Sequence, residues 1–167
     1  SRIILPVLDA WSDIRKHVSK LDRQLLAAAR NSKATQLLMT IPGIGAITSL
    51  SFSAAIEDPG NFKRSRSVGA WLGLTTRRYQ SGEVDYDGHI SRRGDRHLRS
   101  LLYEAAVVML TRAKSRHDSS LKDWGLKLRE RLGIKRAAVA VARKLAVIMH
   151  SMLKTGEPFN RLAGVPA

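Results

Sequence analysis

Between Arg77 and Arg99 the chain sets a Gln80-Ser81-Gly82 turn among six arginines: Arg77, Arg78, Arg92, Arg93, Arg96 and Arg99. A serine oxygen attacks a phosphodiester only when the incoming anion is neutralised and held in place. Guanidinium groups do both, through paired hydrogen bonds to phosphate oxygens. Ser81 is therefore a candidate nucleophile and the arginines are candidate phosphate contacts, although on its local surroundings the serine also fits a plain turn residue bonding its own backbone. Arg92, Arg96 and Arg99 are spaced to share one helix face near an N-terminus, where cations need an anion to offset the helix dipole. His89 and His97 stand close in sequence, but no third group orients either as the base of a hydrolase triad. Asp85, Asp87 and Asp95 read as a solvated charge, a turn residue and a helix N-cap, so no metal site is expected in this chain.

A second feature suits a nucleic-acid backbone. A short helix over about 33–40, the turn Ile41-Pro42-Gly43-Ile44-Gly45 and a helix over about 46–57 form a helix-hairpin-helix pattern. Gly43, Ile44 and Gly45 would let the backbone approach a phosphate, which the N–H groups of the following helix then face. Any tight connection between helices could use the same residues. Ile41 and Ile44 read as core plugs on either side.

The charge balance agrees with a polyanionic partner. The 167 residues carry 29 Lys+Arg against 14 Asp+Glu, a formal charge of +15, and twelve Lys/Arg against five Asp/Glu fall between Phe62 and Arg116. Such an excess points to DNA or RNA before any other partner. No run of 18 apolar residues and no signal-peptide pattern is present, so a membrane is excluded as partner and a soluble, cytoplasmic protein is expected. Zero cysteines exclude disulfides and thiolate metal sites, and the five histidines, including His17, His117 and His150, show no ligand spacing. The chain opens on Ser1 and enters an amphipathic helix at once, as a piece of a longer protein would.

These motifs need helices to hold them. Val7, Trp11, Ile14, Val18, Leu21, Leu25 and Ala28 alternate four and three apart, the seam of a coiled-coil-like arm or of a plain amphipathic helix. Asn31-Ser32 ends that helix and caps the next. Phe62 is expected to anchor a loop, Ser67 to cap a short helix over 68–72 with Trp71 and Leu72 inward, and Gly73 to end it. Residues 75–91 read as a loop with at most a short hairpin. Long helices are expected over about 95–114, 119–132 and 135–154, the last two stopped by Gly133 and Gly156. The fold class is all-α: a coiled-coil-like arm (1–32), a helical domain with a helix-hairpin-helix motif and an inserted catalytic loop (33–159), and a tail (160–167) with few ordering signals.

The ordered set Ile41-Pro42-Gly43-Ile44-Gly45, Asp58-Pro59-Gly60-Asn61-Phe62, Gly73-Leu74-Thr75, Gln80-Ser81-Gly82, Asp87-Gly88-His89-Ile90-Ser91-Arg92-Arg93-Gly94-Asp95 and Leu98-Arg99 resembles the C-terminal domain of the DEDD-type insertion-sequence transposases, the IS-one-ten and IS-eleven-eleven group. The resemblance covers about residues 37–159. It implies that Ser81 matches the family's serine nucleophile and that helix 7–30 matches the end of its coiled coil. It also implies a separate RuvC-like nuclease domain whose acidic residues bind Mg²⁺, and a structured bridge RNA that pairs with donor and target DNA. Thr76, where relatives usually have proline, and His89, where a permanent cation is common, depart from the pattern. Two other classes fit the same residues: a non-catalytic nucleic-acid-binding module built on the Gly43–Gly45 turn and the arginines, or a dimerising interaction domain built on the arm.

Overall fold

In the computed structural model, residues 4–112 and 119–162 are described. The helical core is as expected, but the chain is not wholly α: residues 76–90 form a two-stranded antiparallel sheet. The elements are α1 (Ile4–Asn31), α2 (Lys33–Leu38), α3 (Ala46–Ile56), α4 (Arg66–Trp71), β1 (Thr76–Ser81), β2 (Val84–Ile90), α5 (Arg96–Thr111), α6 (Ser120–Leu132) and α7 (Ile134–Thr155), with one 3-10 turn at Pro59–Asn61. α5 ends at Thr111, where Arg112 turns to an extended conformation, short of the expected end near Lys114; residues 113 and 114, and His117, lie outside the described residues.

Local chemistry sets most boundaries. Ser32, Asp95 and Ser119 accept hydrogen bonds from the backbone N–H of Thr35, Leu98 and Lys122, each closing a helix N-terminus. Gly133 separates α6 from α7 with φ +80, and Gly156 ends α7 in the left-handed region with φ +73. Ser65, not Ser67, occupies the cap position of α4, and its hydroxyl turns instead to His150.

The core lies around α7, which buries Ala137, Ala138, Val141, Ala142, Leu145, Ala146, Met149 and Met152 against α5, α6, α4 and α2. Its run of alanines lets neighbouring helices approach closely, and larger side chains from them fill the space: Leu38, Phe52, Leu72, Leu98, Leu102 and Leu110. Ile41 and Ile44 are buried as expected, and Phe62 packs partly against this core. Leu72 is inward too, but Trp71 is 41% exposed and meets Phe62 edge-on at 5.5 Å. After α7 the chain turns back: Phe159 N–H donates to Thr40 Oγ1, and the Arg161 carbonyl accepts from Ser120 N–H.

His150 fastens α7 to the loop before α4. It is fully buried, with Nε2 3.0 Å from the Pro59 carbonyl oxygen, Nδ1 2.9 Å from Ser65 Oγ and the ring edge-on to Phe62. A carbonyl can only accept, so Nε2 carries the hydrogen and Nδ1 of the neutral ring accepts from the serine. Burial pushes the pKa below the ordinary 6.5, with nearby Lys154 adding to this and the Pro59 bond opposing it. In the unfolded chain the ring protonates near its ordinary value, so the stability that neutral His150 contributes is complete above about pH 6.5 and is lost as pH falls through the lower folded value. Thermal melts between pH 7.5 and 5 should show a falling Tm, about 2–4 °C for each kcal/mol lost in a chain of this size. The fall should be shallower in His150→Gln.

Candidate functional site

Ser81 sits at the tip of the β1–β2 hairpin, paired across it with Val84. The two-residue connection is Gly82-Glu83. Gly82 has φ +56 while Glu83 stays in the negative range, the type II′ arrangement that joins twisted strands without splaying them. Tyr79 pairs with Tyr86 and Gln80 with Asp85, but between Arg78 and Thr76 the register slips by one, leaving an extra residue in β2 at Gly88-His89. Alternation along the strands places Tyr79, Ser81, Val84 and Tyr86 on one face and Arg78, Gln80 and Asp85 on the other. The two tyrosine rings stack with centroids 5.1 Å apart. Ser81 is exposed and its hydroxyl makes no hydrogen bond among the described residues.

Asp85 is exposed, as a solvated charge would be, but it is ion-paired. Its carboxylate takes two hydrogen bonds from Arg78, Nε at 2.8 Å and Nη2 at 2.5 Å, which hold the carboxyl below its usual range and raise the guanidinium. Asp87 lies in the strand, not in a turn, and accepts from Thr76 Oγ1 at 3.3 Å.

The hairpin is anchored at its base by two interlocking glycines. Gly73 (φ +70) faces the backbone of Arg92 and Arg93, and Gly94 (φ +85) faces the carbonyl of Trp71. A Cβ on either would overlap main-chain atoms that cannot swing away. Ser91 N–H donates to Thr75 and Arg92 N–H to Gly73, while Arg77 Nη2 reaches the Ser91 carbonyl at 3.0 Å. Arg99 turns back from α5 to the carbonyls of Leu72 and Arg93, at 3.0 and 3.3 Å. Arg92, Arg96 and Arg99 therefore do not form one row: Arg92 precedes the helix with φ +55, Arg96 and Arg93 stand exposed, and Arg99 clamps the hairpin base.

The hairpin and α7 enclose an open groove of about 1440 Å³, to which the strands contribute Tyr79 and Tyr86 from one face and Thr76 and Asp87 near the bulge. Arg77 and Arg92 line it from the hairpin side and Arg66 from α4. Across from them stand Lys135, Arg136, Arg143 and Lys144 on α7, which the sequence pattern did not single out. Their pairs lie eight residues apart with Val139 and Ala140 between, so they share the face of α7 opposite its core face. None of these seven cations is ion-paired among the described residues. Lys144 Nζ lies 5.7 Å from the Trp124 ring centroid, and burial, with Arg143 adjacent, lowers its pKa.

The Gly43–Gly45 turn is elsewhere and lines no part of the groove. Gly43 (φ +90) passes close to the Ala105 carbonyl of α5, and the Ile44 side chain is in the core. Gly45 is exposed with open space about it and begins α3. Of the three candidate residues, Gly43 and Gly45 are exposed and Ile44 is buried.

The described residues thus form a mostly helical domain with an exposed serine on a clamped hairpin and, beside that hairpin, a groove lined by cations that make no ion pair among the described residues. Residues 35–122 match the Transposase IS116/IS110/IS902 family, and the chain belongs to that family. It is 35% identical over 143 residues to the transposase for insertion sequence element IS1111A of Coxiella burnetii, covering 86% of this chain and 39% of that protein. It is 32% identical over 162 residues to the transposase for IS1328 of Yersinia enterocolitica, covering 96% and 48%. A pilin gene-inverting protein of Moraxella bovis is 29% identical over 157 residues, covering 90% and 47%. The chain thus spans less than half the length of these relatives. Among the described residues no helix is long and apolar enough to cross a membrane.

Proposed function

We propose that this chain is the part of a DNA transposase or recombinase that binds nucleic acid and presents Ser81 as the nucleophile for strand cleavage and rejoining. The observation that carries this reading is Ser81 itself: exposed, without a hydrogen bond among the described residues, and at the tip of a hairpin whose base is clamped, although it lines no part of the groove. Attack forms an Oγ–phosphorus bond and breaks the bond to a deoxyribose oxygen, which takes up a proton as the serine loses one. One ester replaces another, so the reverse step can rejoin DNA. A structured guide RNA is the second nucleic-acid partner in this reading.

The carboxylates here do not suit a Mg²⁺ site beside the serine. Asp85 is occupied by Arg78, and among the described residues no three His, Cys, Asp or Glu side chains converge. In this reading Mg²⁺ belongs to a separate nuclease domain of the longer protein. On this reading the isolated chain binds nucleic acid without cutting it. The test is to incubate the longer protein with labelled substrate DNA, denature, and map any adduct: a phosphodeoxynucleotide mass on the peptide containing Ser81 is expected, and an adduct on another residue would refute the assignment.

Self-association through α1 is the second part of the proposal. Val7, Ile14 and Leu21 of the seam are 61%, 62% and 63% exposed, and only the far end of the helix, through Ala29, is buried against the domain. An apolar stripe of this length fits a second copy of the same helix. Sedimentation should show a dimer or larger species that Ile14→Asp with Leu21→Asp converts to monomer; a parent chain that stays monomeric at high concentration would count against it.

A further inference from the structure

We infer that the groove between α7 and the front of the hairpin is a binding site for an unpaired nucleotide strand, with Arg136, Arg143 and Lys144 holding its phosphates and Tyr86 and Trp124 stacking its bases. This rests on the nucleic-acid-binding part of the reading above and is independent of Ser81 as nucleophile.

Three observations converge on it. The first is charge: seven cations line the groove and only one acidic residue, Asp87, does so among the described residues. Burial lowers the Lys144 pKa and repulsion from Arg143 lowers it further, so an anion between the two would relieve a standing cost. Lys135 and Arg136 also occupy the first turn of α7, the end where the helix dipole disfavours cations.

The second is room made for a cation. Gly69 of α4 packs against the Arg143 stem, and a Cβ there would lie 2.9 Å from its Cγ. The missing side chain lets α4 and α7 close together while the guanidinium continues into the groove, to which Arg143 contributes.

The third is aromatic surface among the charges. Tyr79 and Tyr86 are 46% and 56% exposed, and Trp124 is half-buried, all lining the same space. In a duplex each base face is covered by the next pair, so exposed rings beside cations select a strand whose bases are unstacked. Arg136 and Arg143 are seven residues apart, about 10 Å along the helix, so one strand can reach both. DNA and RNA share this chemistry.

The test measures fluorescence anisotropy of the 167-residue chain with a labelled 12-nucleotide DNA strand, the same sequence as RNA, and a 16-base-pair duplex. Arg136→Ala with Arg143→Ala should weaken binding of the single strands at least about tenfold and lower the log–log salt slope by about 1.4, near 0.7 for each phosphate no longer neutralised. Tyr86→Ala should weaken the single strands about fivefold or more and the duplex less than twofold. Single strands should quench tryptophan fluorescence in the parent and not in Trp124→Phe. A preference between the DNA and RNA strands would name the natural occupant. Arg143→Lys, which keeps the charge, should retain most of the affinity, and thermal melts confirm that each variant is folded. Equal weakening of duplex and single strand by Tyr86→Ala, or unchanged affinity in the double arginine variant, overturns the inference while nucleic-acid binding itself stands. A parent chain that binds none of the three probes overturns both.

Discussion

Ser81→Ala in the longer protein should reduce DNA strand exchange to background while DNA binding stays within about twofold of the parent. The substitution removes one oxygen from an exposed side chain that makes no hydrogen bond among the described residues, so it breaks nothing in the fold. The hairpin turn depends on Gly82 rather than on Ser81, and the groove cations remain in place. If Ser81 supplies the attacking oxygen, the loss is a whole reaction path, with an effect of several orders of magnitude. Binding by gel shift and exchange by product formation on the same preparation separate the two. Exchange that survives in Ser81→Ala would transfer the nucleophile to another group. Loss of binding together with exchange would make the serine a contact rather than a reactant.

Gly94→Ala should be among the most destabilising single changes available to this domain, with Gly73→Ala close to it. Each glycine has a positive φ, which costs an alanine roughly 1–2 kcal/mol. Each also faces main-chain atoms at a separation no real Cβ tolerates: the Trp71 carbonyl for Gly94, and Arg92 and Arg93 for Gly73. The two effects together are expected to exceed about 4 kcal/mol, against a total of about 5–15 kcal/mol for a domain. Gly82→Ala provides the control, since Gly82 also has a positive φ (+56) but nothing lies within 4 Å of its Cβ position. It should lose only the conformational part, about 1–2 kcal/mol. Urea unfolding of the three variants tests this, and equal midpoints for Gly82→Ala and Gly94→Ala would contradict the interlock.

Why some of this was legible in the sequence follows from which forces are local. A cap is a contact over three residues, so Ser32, Asp95 and Ser119 announce their helices, and Gly133 and Gly156 announce where helices stop. The serine hairpin was legible as a turn, but strands whose every β1 residue is exposed carry no apolar alternation to reveal their pairing. Arg99 looked like a phosphate contact because its real partners, the carbonyls of Leu72 and Arg93, are brought to it only by the tertiary fold. Arg78 and Asp85 pair across a turn by register, which one residue's slip would have undone. The cationic face of α7 was hidden for a different reason. Lys135, Arg136, Arg143 and Lys144 alternate with core residues along a strongly apolar helix, and reading them as one surface requires knowing what stands opposite.

The Arg78–Asp85 pair gives the hairpin a polarity that its composition conceals. On the back face the one strand cation is cancelled by the carboxylate that holds both its donors, while on the front Arg77 keeps its charge and joins that of α7. On the reading that this chain binds nucleic acid, the two sides of the hairpin would attract a polyanion unequally. On the reading that Ser81 is the nucleophile, this sidedness bears on the direction from which a phosphorus comes within reach of its oxygen.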